Sequence, residues 1–305
     1  MALSVSLAGC AGRQPGEDRL LEGRVVHDGI ERRYLMYVPP GLDNRPGSYP
    51  LIVALHGGGG TALGMVRLTL GRFNELADEH GFYVVYPQGV GKSWNDGRGD
   101  VNSRAHAERI DDVGFIGVLI SQLRSEYPID PQRIFATGIS NGGLMSFRLG
   151  CSLPETIRSI APVTASIPSA IADTCVRGSG VALILFNGTD DPLVPYDGGQ
   201  IRVFGNNRGE VLSTTETIRI FVERNGCADD AQPTEMVDRS NDGTRVTALA
   251  YRDCRSKSQV LLYRIEGGGH TWPGGYQYLS ERLVGRTSHD INACDEIWRF
   301  FADTD

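Results

Sequence analysis

The chain has 305 residues, 40% of them apolar, and a formal net charge of −7, which suits one large mixed α/β unit with a sizeable core. An acidic balance without a lysine/arginine cluster argues against nucleic acid or an anionic membrane as the main partner and leaves a neutral substrate, small or polymeric. The 39 glycines gather at turns such as 57–60 and 267–269 rather than in a repeat.

The stretch from Met1 to Cys10 is apolar and small, too short to span a bilayer, and has no basic start. Leu7-Ala8-Gly9-Cys10 is similar to a bacterial lipobox, at which a cysteine becomes lipidated. Residues 1–22 are therefore read as a truncated export signal followed by a tether over Arg13 to Asp18; the competing reading is an accidental motif. Export makes the protein secreted, periplasmic or displayed at the cell surface, with membrane attachment only through a lipid on Cys10. Residues 23–305 carry no linker, repeat or composition shift and read as a single domain.

Along that domain, Arg24 to Val26 and Arg33 to Val38 read as antiparallel strands joined at Asp28-Gly29. Leu51 to Leu55 is a continuous apolar run suited to the centre of a parallel sheet, and it opens into His56-Gly57-Gly58-Gly59-Gly60. Leu63 to His80 reads as one amphipathic helix, Phe82 to Pro87 as a buried strand, and Asp112 to Tyr127 as a helix capped by Asp111 or Asp112. Arg133 to Thr137 is a further strand, with a helix beginning near Leu144. Strands follow at Ile157 to Val163, Val181 to Phe186 and Val260 to Ile265, with helices at Thr215 to Asn225 and Ile291 to Phe301. Strands alternating with helices predict a mainly parallel central sheet with helices on both faces.

Between the Arg133 strand and the helix after it lies Gly138-Ile139-Ser140-Asn141-Gly142, a match to G-x-S-x-G. On a sharp strand-to-helix turn the glycines are needed because neighbouring backbone comes too close for a β-carbon, and the serine is pushed toward substrate. A capping serine in an ordinary glycine-rich turn is the bland alternative. In a parallel sheet functional groups collect at the carboxyl ends of strands, and two later strands run into Asp190-Asp191 and His270. Ser140, an aspartate and His270 follow the chain order of an α/β-hydrolase triad. Serine is a poor nucleophile until a histidine takes its proton, and the imidazolium then needs a carboxylate. Asp191 is preferred for that role, with Asp190 the rival that spacing does not separate. His56 heads the glycine loop, whereas His27, His80, His106 and His289 lack a strand-end setting. An oxyanion needs preorganised donors: the N–H of Asn141 and one from the glycine loop, for which Gly58 is chosen. A phosphate cradle is the competing reading of that loop, but G-K-[ST] is missing.

Apart from Cys10, the cysteines are Cys151, Cys175, Cys227, Cys254 and Cys294, an odd set without metal-ligand spacing. Their positions around the elbow helix and the later strands predict the disulfides Cys151–Cys175 and Cys227–Cys254, with Cys294 a buried thiol. No metal or cofactor is implied. Trp94, Tyr196 and Trp272 lie beside the catalytic loops and are candidates for an aromatic wall against an acyl group, though packing residues would read the same. Gly275 to Asp290 is a rim, a lid or a plain surface loop.

Taken together, His56 to Gly60, Tyr86-Pro87-Gln88-Gly89 with Trp94-Asn95, Asp111 to Phe115, Gly138 to Gly143, Gly188-Thr189-Asp190-Asp191-Pro192, Asn225-Gly226-Cys227 and Gly268 to Gly275 resemble the esterase family that contains polyhydroxybutyrate depolymerases and feruloyl or acetylxylan esterases. The resemblance spans about Arg33 to Phe301. It implies an α/β-hydrolase fold and a metal-free serine carboxylesterase, secreted or lipid-anchored, that works through an acyl-enzyme on feruloyl, acetyl or hydroxybutyrate esters. Its G-T-x-D-P pattern favours Asp191 over Asp190, and its cysteines agree with both disulfides. A prolyl-oligopeptidase-like peptidase, a mycolyltransferase-like acyltransferase and an inactive binding module are the alternatives; the last should have lost a triad member, and none is lost.

Overall fold

The computed structural model describes residues 13–42, 44–177 and 180–304; Cys10 lies outside them. The strands are β1 (Leu20–His27), β2 (Ile30–Tyr37), β3 (Tyr49–Leu55), β4 (Tyr83–Pro87), β5 (Ile129–Ile139), β6 (Ser159–Val163), β7 (Ala182–Gly188), β8 (Gly199–Val203), β9 (Asn206–Val211), β10 (Gln232–Glu235), β11 (Arg245–Tyr251) and β12 (Val260–Glu266). The helices are α1 (Ala62–Leu68), α2 (Arg72–His80), α3 (Arg104–Ala107), α4 (Asp112–Glu126), α5 (Asn141–Ser152), α6 (Ala172–Arg177), α7 (Thr214–Asn225), α8 (Glu281–Val284) and α9 (Ala293–Asp303).

The main sheet is ordered β1-β2-β4-β3-β5-β6-β7-β12-β11-β10. Its stretch from β4 to β12 is parallel, and antiparallel strands extend both edges. This is the α/β-hydrolase fold. Side chains alternate across each strand, so β3 feeds two cores. Leu51, Val53 and Leu55 join Phe115 and Leu119 of α4 and Leu144 and Phe147 of α5. Ile52 and Ala54 join Met65 of α1, Phe73 and Leu76 of α2, and Ile297 and Phe301 of α9. Each such aliphatic or aromatic side chain stabilises the fold by about 1.5–3 kcal/mol relative to exposure, and both faces must be covered for a sheet this apolar to persist.

Several boundaries differ from the sequence reading. The single helix expected over Leu63 to His80 is two, because Leu70 (φ 55°) and Gly71 (φ 73°) take the left-handed conformation and turn the chain. Asp111, not Asp112, caps α4 by accepting from the Gly114 N–H. Asp112 instead makes a buried 2.6 Å ion pair with Arg32. The stretch read as a tether packs on the domain: Glu17 pairs with Arg67 at 2.6 Å, and the Pro15 carbonyl accepts from Asn74 Nδ2. Strand β1 also begins at Leu20, three residues ahead of the expected domain boundary at residue 23. The β8–β9 hairpin and the strand β10 were not anticipated. Disulfides join Cys151 to Cys175 and Cys227 to Cys254, while Cys294 is a buried free thiol.

Candidate active site

All the strands of the parallel stretch end on one edge, and Gly58, Ser140, Asp191 and His270 each sit just beyond such an end. After β5 the chain reverses at Ser140, whose φ of 55° and ψ of −121° fall outside the regions open to a side-chain-bearing residue at no cost. Strain of about 1–3 kcal/mol is held there by the bond from the Ser140 N–H to the Val163 carbonyl and by the Ser140 carbonyl accepting from Leu144. The flanking glycines are required by contact. A β-carbon on Gly138 would lie 2.6 Å from the Leu55 oxygen, and one on Gly142 would lie 2.3 Å from it. Ser140 is half-buried between buried neighbours.

Asp191 follows β7 and His270 follows β12. Their loops lock together because the Thr189 and Asp190 N–H groups donate to Ile265 and Gly268, and Gly267 donates to Thr189 Oγ1. Asp191 Oδ1 accepts from the N–H groups of Leu193 and Val194, which fixes the carboxylate, and Oδ2 lies 2.7 Å from His270 Nδ1. Both side chains are almost wholly buried. Since an ionised carboxylate only accepts, the proton of the neutral imidazole is on Nδ1 and Nε2 is a bare base. Asp190 faces solvent and accepts from Thr189 Oγ1. The segment from Gly275 to Asp290 clamps this loop: Val284 accepts from the His270 N–H, Tyr278 Oη donates to the His270 carbonyl, and Arg286 accepts from Gly269.

The glycine loop crosses the start of α5. β-carbons built on Gly57 and Gly58 would each lie 3.7 Å from the β-carbons of Ser140 and Asn141 respectively. His56 fixes it. Gly89 donates its N–H to His56 Nε2 at 3.0 Å, so the proton is on Nδ1, which donates to the Gly57 carbonyl at 2.8 Å. A planar peptide then orients the Gly58 N–H opposite that carbonyl. Burial pushes the His56 pKa down to about 4, keeping the ring neutral.

The Asn141 amide is tied on both sides: its Oδ1 accepts from the Trp94 N–H at 2.8 Å, and its Nδ2 donates to Asp96 Oδ2 at 2.7 Å. Asp96 is wholly buried, with His106 Nε2 at 3.0 Å and Arg98 Nε at 3.4 Å. Burial pushes this carboxyl up, but Arg98 and His106 outweigh it and hold it below its ordinary range. Asp96 and His106 had not been singled out for the site; the only signal was their place in the loop after β4.

Two of the three candidates for the aromatic wall are not at a surface. Trp94 is 0% exposed, donates Nε1–H to the His56 carbonyl and packs against the His56 ring at 4.9 Å. Trp272 is also 0% exposed and meets Phe73 edge-on. Both are buried packing residues next to the catalytic loops, and each indole buries a large apolar area there. Tyr196 is half-buried, and its carbonyl accepts from Thr214.

No family model matches the chain. Over 291 residues it is 29% identical to "Putative esterase NocK" of Nocardia uniformis subsp. tsuyamanensis, covering 93% of this chain and 83% of that protein. Over 244 residues it is 26% identical to feruloyl esterase C of Emericella nidulans, covering 78% of this chain and 76% of that one. Among solved structures, the acetyl xylan esterase from Aspergillus awamori has the same fold, with a TM-score of 0.57 at 16% identity over 93% of this chain and 99% of that chain.

Proposed function

We propose that this chain, which belongs to the esterase family that includes the feruloyl esterases and is a carboxylic ester hydrolase, uses Ser140 as nucleophile, His270 as general base and Asp191 as its orienting carboxylate. The observation that carries this reading is the 2.7 Å contact of Asp191 Oδ2 with His270 Nδ1, which leaves Nε2 as a base on the same sheet edge at which the half-buried Ser140 takes its strained turn.

In the first half-reaction Ser140 Oγ attacks the ester carbonyl while its proton passes to His270 Nε2. Charge collects on the carbonyl oxygen, where the Gly58 and Asn141 N–H groups receive it. A donor of this kind is worth about 10²–10³ in rate. The imidazolium then gives its proton to the departing alkoxide, and the acyl group stays on Ser140. Water activated by the same nitrogen attacks the acyl-enzyme, releases the acid and restores the serine. Asp191 stays ionised throughout and stabilises the imidazolium.

The substrates we propose are feruloyl or acetyl esters of plant polysaccharide, by analogy with the named activities of the relatives. Hydroxybutyrate oligomers are the comparison substrate. Two disulfides suit an oxidising compartment and support action outside the cytoplasm. The test is product release from methyl ferulate, an acetylated xylan oligosaccharide and hydroxybutyrate oligomers, with Ser140→Ala as blank. Preference for either of the first two supports the proposal, whereas hydroxybutyrate preference redirects it to polyester, and no turnover above the blank contradicts it.

A further inference from the structure

The Asp111 to Phe115 motif takes no direct part in the acyl chemistry, yet its residues build one unit at the start of α4. Asp111 caps the helix through the Gly114 N–H, and a β-carbon on Gly114 would lie 2.1 Å from Asp111 Oδ2. Asp112 is 0% exposed and meets Arg32 of β2, itself 3% exposed, at 2.6 Å. The Arg32 guanidinium lies 3.8 Å from the centre of the Phe115 ring, which holds it in place. A buried ion pair is a poor source of stability, because the desolvation of both charges offsets their attraction. The destination of the pair's other bonds is therefore informative.

Each partner reaches a segment that holds one of the two proposed oxyanion donors. Asp112 Oδ2 accepts from the Asn95 N–H at 2.7 Å. The residues on either side of Asn95 grip Asn141: Trp94 exchanges two bonds with its side-chain amide, and Asp96 accepts a third. The Asn95 carbonyl accepts from Arg148, two turns further along the helix that Asn141 begins, and the Asn95 side chain donates to the Ile110 carbonyl. Arg32 Nη2 makes a long bond of 3.4 Å to the Gln88 carbonyl. The N–H of that same planar peptide, on Gly89, donates to His56 Nε2, and His56 Nδ1 fixes the Gly57 carbonyl opposite the Gly58 N–H.

We propose that Arg32 and Asp112 form a positioning pair that sets both donors of the oxyanion hole, Asn141 through Asp112 and the 94–96 segment, and Gly58 through Arg32 and His56. The inference rests on the roles given to Gly58 and Asn141 above, and it joins the loops after β3, β4 and β5 through one buried contact. Neither residue of the pair touches substrate. Donors aimed at the oxyanion act where charge develops, so a small displacement weakens the transition state more than the bound ester. Loss of the pair should therefore appear in kcat and leave KM nearly unchanged.

The test uses two variants. Asp112→Asn keeps the shape but has one acceptor oxygen for two donors, and Arg32→Lys keeps the charge but loses the planar group shared between Asp112 and the Gln88 carbonyl. Steady-state kinetics on methyl ferulate and 4-nitrophenyl acetate is read per active site, counted by fluorophosphonate titration, so that unfolded protein drops out. Beside it, inhibition by a phenyl trifluoromethyl ketone reports on the hole itself: Ser140 Oγ bonds to the ketone carbon, the carbonyl oxygen becomes an oxyanion, and the serine proton passes to His270. We expect kcat to fall about tenfold in Asp112→Asn and the inhibition constant of the ketone to rise about as much, with KM within about twofold of the wild type. Arg32→Lys should shift the same two quantities in the same direction, and it is read alone if Asp112→Asn does not fold. A lower melting temperature with kcat and the inhibition constant unchanged would make the pair structural only. A loss of kcat without weaker ketone inhibition, or a rise in KM that matches the loss, would equally overturn the proposal. If the wild type itself neither hydrolyses an ester nor forms the ketone adduct on Ser140, the esterase reading fails first, and this inference falls with it.

Discussion

Asp96 Oδ2 accepts from Asn141 Nδ2 at 2.7 Å, so the residue whose backbone N–H is proposed to meet the oxyanion is held by a carboxylate from another loop. The same carboxylate is braced by His106 and Arg98. Replacing Asp96 by Ala removes the acceptor of His106 Nε2 and one of the two acceptors of Asn141 Nδ2, at about 1–3 kcal/mol. The predicted result is a lower melting temperature together with a kcat reduced about ten- to a hundredfold at little-changed KM. Steady-state kinetics on methyl ferulate checks it; a lower melting temperature with unaltered kcat would make Asp96 structural only.

Asp191 and Asp190 are neighbours with opposite settings, one buried against His270 and one in solvent. Asp191→Asn presents an amide N–H where Nδ1 needs an acceptor and favours the wrong tautomer. It should cost about 10³–10⁴ in kcat, while Asp190→Asn should stay within a few-fold. Assay of the two variants side by side decides the assignment, and the reverse order would exchange their roles.

The neutral state of His56 makes a pH prediction. Its pKa is lowered from 6.5 to about 4 in the folded chain, so between those values the unfolded chain binds a proton that the folded chain refuses. Stability from this group is complete above about pH 6.5 and falls as pH drops to about 4, by about 3 kcal/mol in all. Urea midpoints measured from about pH 7 to pH 4 should therefore decline less steeply in His56→Gln than in the wild type. Equal slopes would show that His56 is not held neutral.

The disulfides join residues 24 and 27 positions apart. In the chain-entropy account each closes a loop worth about 3 kcal/mol. Alanine at both Cys151 and Cys175 should lower the thermal midpoint clearly in non-reducing buffer. The wild type should fall below that value when reduced, because both bonds are then lost, and a midpoint insensitive to both changes would argue against the bond.

Much of the site was legible because it is written at strand ends. Ser140, Asp191 and His270 each follow an apolar run, and a parallel sheet brings such ends together whatever lies between them in sequence. Asp96 was illegible because its meaning is a contact with Asn141, 45 residues on, through which no periodicity runs, and His106 because it acts through Asp96. Trp94 and Trp272 were misread because an indole beside a catalytic loop suits a wall or a foundation equally well, and only burial separates the two. The β8–β9 hairpin alternates only over Gln200 to Val203, too short a run to mark a strand, β9 is polar up to Val211, and β10 is exposed along its length. Neither gives the pattern by which a strand is recognised. The break between α1 and α2 turns on Leu70 adopting a left-handed conformation that leucine seldom takes.

The central claim is that Ser140 carries the acyl group. The most direct measurement is peptide mapping by mass spectrometry after reaction with a fluorophosphonate, alongside residual hydrolysis of methyl ferulate. The account predicts one adduct per chain, located on Ser140, whose formation tracks the loss of activity and which does not form in Ser140→Ala. An adduct on another residue, or full turnover by Ser140→Ala, would contradict it.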